Sequence, residues 1–129
     1  MSNTPKIRVR VRQADGDTCI LEVHGELTTF AEDRLMAAYN EACDQNVRNI
    51  VLNFDGLEYM SSSGIGLLVT LLIRAQRQQK RLLACGLDDH YRHIFELTRL
   101  NEAISIHPNE ASALAAAAIA QRPGQTVSR

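Results

Sequence analysis

The sequence predicts a single α/β domain with a mixed, mostly parallel β-sheet, an N-terminal antiparallel hairpin and about four packing helices. Three observations favour this fold. The 129 residues are enough for one compact domain, and their 45% hydrophobic and 22% charged composition is typical of globular proteins. A strand-turn-strand pattern opens the chain. Helical and strand-like segments then alternate, which is typical of parallel sheets with crossover helices.

The first two strands form the predicted hairpin. Residues 7–12 read Ile-Arg-Val-Arg-Val-Arg, an alternation that places apolar side chains on one face and charged side chains on the other. Asp15-Gly16 is a strong turn signal, and the returning strand runs from Thr18 to His24. The charged face indicates that the first strand is an exposed edge of the sheet.

The next predicted elements are a helix and a third strand. Thr29 to Glu32 fits a capping box, and a helix follows from about Phe30 to Gln45. A third strand is predicted at Ile50 to Phe54, followed by a loop from Asp55 to Ser63. The apolar positions of the helix recur at helical spacing and are Leu35, Ala38, Tyr39 and Ala42.

A second amphipathic helix is predicted from Gly64 to about Gln79. Leu82 to Cys85 then forms a short buried strand that ends at Gly86. The apolar stripe of the helix consists of Ile65, Leu68, Val69 and Leu72.

Two more helices and one strand complete the predicted fold. Asp88 can cap a helix, Ala103 to Ile106 is a possible strand, and Pro108-Asn109 opens an alanine-rich helix. We place the domain at residues 5–120 and expect residues 121–129 to form a flexible tail. The apolar side of the Asp88 helix consists of Tyr91, Ile94, Phe95 and Thr98.

Composition and charge exclude several function classes. The formal charge is −1, so the basic excess of a nucleic-acid-binding domain is absent. No apolar run reaches the roughly 18 residues of a membrane helix. Residues 1–6 lack the apolar core of a signal peptide, so we expect a cytoplasmic protein. Cys19, Cys43 and Cys85 suggest neither a disulfide framework nor a zinc site, and buried inert thiols are expected.

The sequence also lacks the common catalytic motifs. It has no nucleophile elbow, no phosphate-binding P-loop and no dinucleotide fingerprint, so we predict neither an enzyme nor a cofactor. A hydrolase would need a histidine brought to the serines from a distant segment. His90 and His93 have helical spacing but no ligand cluster around them, so no metal is predicted. Glu26 and Glu58 have no supported acid-base role.

Other charged side chains have ordinary structural interpretations. His24 ends a strand and is interpreted as a structural histidine. Arg74, Arg77 and Arg81 could meet an acidic partner, but a solvated helix face is the favoured interpretation.

The most unusual stretch reads Tyr-Met-Ser-Ser-Ser-Gly-Ile-Gly and covers residues 59–66. Its three serines lie where a helix is predicted to begin. Free N–H groups and the positive end of the helix dipole would accommodate a phosphate there. Gly64 and Gly66 would leave the backbone uncovered, so that another protein could approach closely. Serines are also common helix caps, and the segment alone favours that interpretation.

Three stretches together make the chain resemble the STAS domain, in particular the bacterial anti-sigma factor antagonists. Gly25-Glu26-Leu27 resembles the family's G-E-L-D turn, and residues 49–54 resemble its third strand. Residues 60–68, M-S-S-S-G-I-G-L-L, are similar to the M-D-S-S-G-[LI]-G signature. Their spacing fits as well, and the order of elements matches from about Ile7 to Ala120.

The resemblance implies a binding function without catalysis. Such domains bind an anti-sigma factor that is also a serine kinase, which regulates transcription indirectly. The kinase phosphorylates one serine and thereby abolishes binding, and a serine phosphatase restores it. That serine corresponds to Ser62, with Ser61 and Ser63 as alternatives. The implied partner-binding residues are Gly25, Glu26, Leu27, Thr28, Thr29, Met60, Ser61, Ser62, Ser63, Gly64, Ile65 and Gly66.

Two positions differ from the family pattern. The aspartate before the phosphorylated serine is Ser61 here, and the aspartate of the G-E-L-D turn is Thr28. The alternative function is therefore a STAS module that works without phosphorylation, as a scaffold in a signalling complex or a sensor of a small ligand.

Overall fold

The computed structural model describes residues 6–15 and 17–120. Gly16 of the predicted turn, the start of the predicted domain at residue 5 and the predicted tail at residues 121–129 lie outside this part of the chain.

Within residues 6–15 and 17–120 the chain forms six strands, four α-helices and two short 3-10 turns. The strands are β1 Ile7–Asp15, β2 Thr18–Leu27, β3 Asn49–Asn53, β4 Leu57–Met60, β5 Arg81–Cys85 and β6 Ser105–His107. The helices are α1 Glu32–Cys43, α2 Ser62–Arg77, α3 Asp89–Leu97 and α4 Glu110–Ala120. The 3-10 turns are Thr29–Ala31 and Leu100–Glu102.

The strands form one mixed sheet in the order β1-β2-β3-β5-β6. β1 and β2 are antiparallel, and every other pairing is parallel. β2 is long enough to pair twice: Thr18 to Glu22 pair with β3, and Gly25 to Leu27 pair with β4. The predicted mixed sheet, hairpin and edge position of β1 are confirmed.

The two faces of the sheet are covered by different helices. Side chains from α1, α2 and α3 join alternate strand residues such as Leu21, Ile50 and Leu82 in the larger apolar core. The intervening residues, such as Ile20 and Val51, pack against α4. This alternation follows from the two-residue period of a strand.

The predicted loop at residues 55–63 is wrong in two respects. Leu57–Met60 is a strand, β4, which hydrogen-bonds to the end of β2. In addition, α2 begins at Ser62 and not at Gly64, because Ser61 caps the helix.

The predicted apolar stripe of α2 needs correction. Val69 is 38% exposed, and Ile65 is only partly buried. The stripe that faces the core consists of Gly64, Leu68, Leu71, Leu72 and Ala75.

Smaller corrections concern the ends of elements. The capping box at Thr29 and Glu32 does not form, because Thr28 caps a 3-10 turn and α1 starts only after it. The last strand is shifted toward His107, because the 3-10 turn at Leu100–Glu102 precedes it.

Three further predictions about single residues have mixed outcomes. Asp88 caps α3 as predicted, but Thr98 at the end of that helix is exposed. Cys19 and Cys85 are buried, whereas Cys43 is half-buried.

Candidate functional site

The ends of β2 and β4 lie side by side and bring the two predicted site segments together. Leu27 pairs with Met60 in parallel register. The next backbone amide, that of Ser61, donates a hydrogen bond of 3.0 Å to the carbonyl oxygen of Leu27. The segments at residues 25–29 and 60–66, which are far apart in sequence, therefore share one edge of the molecule.

Ser61 is the N-cap of α2. Its backbone is extended, its hydroxyl oxygen accepts the N–H of Gly64 at 3.1 Å, and its carbonyl oxygen accepts the N–H of Ile65. This is the usual geometry of a serine cap. The hydroxyl of Ser61 therefore has a structural role, because its oxygen caps the first turn of α2.

Ser62 and Ser63 are the first two residues of the helix, and both are exposed. In the described part of the chain, neither hydroxyl has a hydrogen-bond partner and neither backbone N–H has an acceptor. None of the three serines is hydrogen-bonded to a histidine there, which is the contact that activates a serine nucleophile.

The two glycines of the segment have different roles. Gly64 is buried against the end of β2 and has no room for a β-carbon. Gly66 is exposed, and a β-carbon there would have no atom within 4 Å. The expectation that both glycines leave backbone open to a partner is therefore wrong for Gly64.

Burial divides the predicted partner-binding residues into two groups. Leu27, Met60 and Gly64 are buried. The Met60 N–H donates a 2.9 Å hydrogen bond to the hydroxyl oxygen of Tyr91 on α3, which anchors the end of β4. The exposed or partly exposed residues are Gly25, Glu26, Thr28, Thr29, Ser61, Ser62, Ser63, Ile65 and Gly66.

Sequence reasoning missed an exposed apolar strip beside the serines. Ser62, Gly66, Val69 and Ile73 are spaced at four, three and four residues, so they lie on one side of α2. All four are exposed, Val69 by 38% and Ile73 by 46%. We call these four residues the outer face of α2. The spacing is visible in the sequence, but the sequence does not show which side of the helix is buried.

Two aromatic side chains in neighbouring elements are also exposed. Phe30, in the 3-10 turn that packs beside α2, is 69% exposed. Tyr59, on β4, is 50% exposed. Val69 and Ile73, two exposed apolar side chains on one side of α2, are a feature that is typical of a protein-docking site.

The remaining candidates do not form a site. Among the described residues, no cluster of three histidine, cysteine or acidic side chains could hold a metal. Arg74 contacts Asn40, and Arg81 contacts the carbonyl oxygen of Ala116 on α4, so the arginines do not share one face. None of the helices at residues 6–15 and 17–120 has the length and apolar character needed to cross a membrane.

The sequence matches the STAS domain family over residues 8–113. The anti-sigma-B factor antagonist of Staphylococcus aureus strain NCTC 8325 / PS 47 is 30% identical over 90 residues, which cover 70% of this chain and 82% of that protein. The anti-sigma-B factor antagonist of Listeria monocytogenes is 29% identical over 102 residues, which cover 78% of this chain and 88% of that protein. These relatives are binding regulators and not enzymes, as predicted for this chain.

Solved structures share the fold. The unphosphorylated anti-sigma factor antagonist SpoIIAA superimposes with a TM-score of 0.67 at 20% identity, over 88% of this chain and 99% of SpoIIAA. The phosphorylated SpoIIAA from Bacillus superimposes with a TM-score of 0.66 at 23% identity, over 84% of this chain and 98% of SpoIIAA. An anti-sigma factor antagonist from Mycobacterium paratuberculosis superimposes with a TM-score of 0.73 at 20% identity, over 85% of this chain and 92% of that protein.

Proposed function

The chain belongs to the STAS domain family, in which its relatives are anti-sigma factor antagonists, and we propose that it binds an anti-sigma factor through the outer face of α2. The anti-sigma factor is a serine kinase that phosphorylates Ser62 and so abolishes binding. A serine phosphatase removes the phosphate, and the cycle takes place in the cytoplasm.

One observation carries this proposal: Ser62 is exposed on the same side of α2 as two exposed apolar side chains, Val69 and Ile73. Val69 and Ile73 offer apolar area that a partner can cover, and removing such area from water favours association. The side chain at position 66 is a hydrogen atom, so a partner can approach the helix backbone closely. Ser62 lies on the same face as these residues, one helical turn before Gly66.

A phosphate on Ser62 would change this face without disturbing the fold. It would add about −1.5 to −2 charges. The free N–H groups of Ser62 and Ser63 and the helix dipole would stabilise it in place. A partner docked on the outer face would have to remove water from that charge, which is unfavourable. Phosphorylation is therefore expected to abolish the interface and leave the domain folded.

The two departures from the family pattern fit this account. Ser61 and Thr28 both act as caps, Ser61 for α2 and Thr28 for the 3-10 turn, where its hydroxyl accepts the N–H of Phe30 at 3.3 Å. Serine and threonine can replace aspartate in such a role. The substitutions keep the caps but remove two negative charges, so the kinase must recognise this protein without them.

The docking surface can be tested with matched charge variants. Tagged protein is expressed in its native host, and captured proteins are identified by mass spectrometry. Ile73→Asp places a charge on the outer face. The matched control, Ile119→Asp, places the same charge on α4. The two isoleucines are similarly exposed, Ile73 by 46% and Ile119 by 52%. We expect the wild type and Ile119→Asp to capture a protein with an anti-sigma factor kinase domain, and Ile73→Asp to lose it. Equal capture by both variants would contradict the proposed surface.

The modification can be tested on the native protein. Trypsin releases residues 49–74 as one peptide that contains all three serines. Phosphate on Ser62 in some growth condition would support the switch. Its absence under all growth and stress conditions would favour the alternative, a scaffold or small-ligand sensor that works without phosphorylation.

A further inference from the structure

An open cavity of about 700 Å³ lies where β1 begins and β2 meets β4. Its volume is within the range of about 300–1,000 Å³ that is typical of small-molecule sites. Three positive side chains line it: Lys6 just before β1, Arg8 at the start of β1, and Arg34 from α1. Glu58, on β4, is the acidic residue of the lining. We call this cavity the basic groove.

The cations of the basic groove are not neutralised. Among the described residues, the side chains of Lys6, Arg8 and Arg34 form no ion pair or hydrogen bond. Arg12 and Arg92, by contrast, are paired with carboxylates. Three cations face one carboxylate in the groove, so its lining carries an excess of positive charge. Low-dielectric walls around such a cavity focus its field on an anion.

The wall of the groove is closely packed. Arg8 lies directly opposite His24 in the β1-β2 pairing, so both side chains project from the same face of the sheet. The imidazole of His24 packs so tightly against Gly56 that a β-carbon there would lie 2.1 Å from Nδ1, and Nε2 is 3.7 Å from the Glu22 carboxylate. His24 is therefore part of the wall, and the groove is already formed.

We propose that the basic groove binds a small organic anion that carries at least two negative charges, in phosphate or carboxylate groups. Arginine forms bidentate hydrogen bonds with either group, and lysine supplies a third point of charge. The three cations line one cavity of about 700 Å³, a volume that fits a compact ligand better than an extended acidic peptide. This site is distinct from the outer face of α2 and does not depend on the proposed function.

The test is an NMR titration of the ¹⁵N-labelled protein at physiological salt. The probes are pyrophosphate and citrate, which separate phosphate from carboxylate ligands, and a hexaglutamate peptide. We expect saturable shifts at the backbone amides of Arg8, Gly25 and Gly56 with one or both small anions. The Arg8→Ser/Arg34→Ser variant should bind at least about tenfold more weakly, because it loses two charge-assisted contacts.

The matched control is Arg48→Ser/Arg77→Ser, which removes the same charge from exposed positions outside the groove. It should change the affinity less than about twofold. Equal weakening by both double variants would show general attraction to the surface and would overturn the proposal. So would binding of hexaglutamate alone, which would make the groove a protein-docking surface, or the absence of saturable shifts in a folded wild-type sample.

Discussion

The carbonyl oxygen of Leu27 lies 2.1 Å from the position that a β-carbon on Gly64 would occupy. The same oxygen accepts the N–H of Ser61. The first turn of α2 therefore packs directly against the end of β2. This contact fixes where the helix begins and thus how Ser62 is presented.

Gly64→Ala is expected to destabilise the fold by about 1–3 kcal/mol, because the new methyl group would displace backbone. Gly66→Ala is the matched control in the same helix and has open space around it. It should stabilise the protein by about 0.5–1 kcal/mol through helix propensity. Urea unfolding of both variants measures the difference, and equal effects would contradict the close contact.

Ser61→Ala should reduce the free energy of unfolding by about 1 kcal/mol, because the N–H of Gly64 loses its cap. Ser61→Asp should keep most of that stability. Ser63→Ala, which removes an exposed hydroxyl from the same turn, should stay within about 0.5 kcal/mol of wild type. Chemical denaturation checks all three, and a Ser61→Ala protein as stable as Ser63→Ala would exclude the capping role.

Tyr91→Phe is expected to destabilise the protein by about 1–3 kcal/mol. The buried N–H of Met60 would lose its acceptor, and water could not replace it. Tyr59→Phe is the control, since that ring is half-exposed and its hydroxyl has no partner in the described part of the chain. Thermal unfolding measures both variants. If Tyr59→Phe lowered the melting temperature more than Tyr91→Phe, the stabilising role of the hydrogen bond between β4 and α3 would be contradicted.

The surroundings of His107 predict that the free energy of unfolding depends on pH. Burial lowers the pKa of His107 below its ordinary value of 6.5, and the nearby Arg81 cation lowers it further. As pH falls below about 6.5, the unfolded chain takes up a proton before the folded chain does, so the free energy of unfolding decreases. His107→Gln should flatten this decrease, and Arg81→Gln should reduce it. Unfolding curves between pH 7.5 and 5 that keep the same slope in His107→Gln would refute the assignment.

The sequence was sufficient for the parts of the fold that a repeating pattern encodes. Alternation predicted β1, and Leu35, Ala38 and Tyr39 predicted the buried side of α1. β4 could not be predicted in this way, because it has four residues and its Glu58 and Tyr59 are both exposed. It becomes a strand only because β2 extends beyond β3.

The site was predicted as two segments, and the structure joins them through Leu27 and Ser61. The outer face could not be predicted, since Val69 and Ile73 are as hydrophobic as core residues. Only the tertiary packing shows that Leu68 and Leu72 face inward and Val69 and Ile73 face out. The burial of Gly64 was likewise invisible, because it depends on the neighbouring strand.

The most direct test of the proposed switch is the affinity of Ser62 variants for the anti-sigma factor captured from the native host. Ser62→Ala should bind like the wild type, and Ser62→Asp should bind at least about tenfold more weakly, which is about 1.4 kcal/mol. Ala111→Asp adds the same charge to the first turn of α4 and should bind normally. Calorimetric titration of all three, with unfolding curves to show that each is folded, gives the answer. A Ser62→Asp protein that binds as tightly as Ser62→Ala would contradict the account.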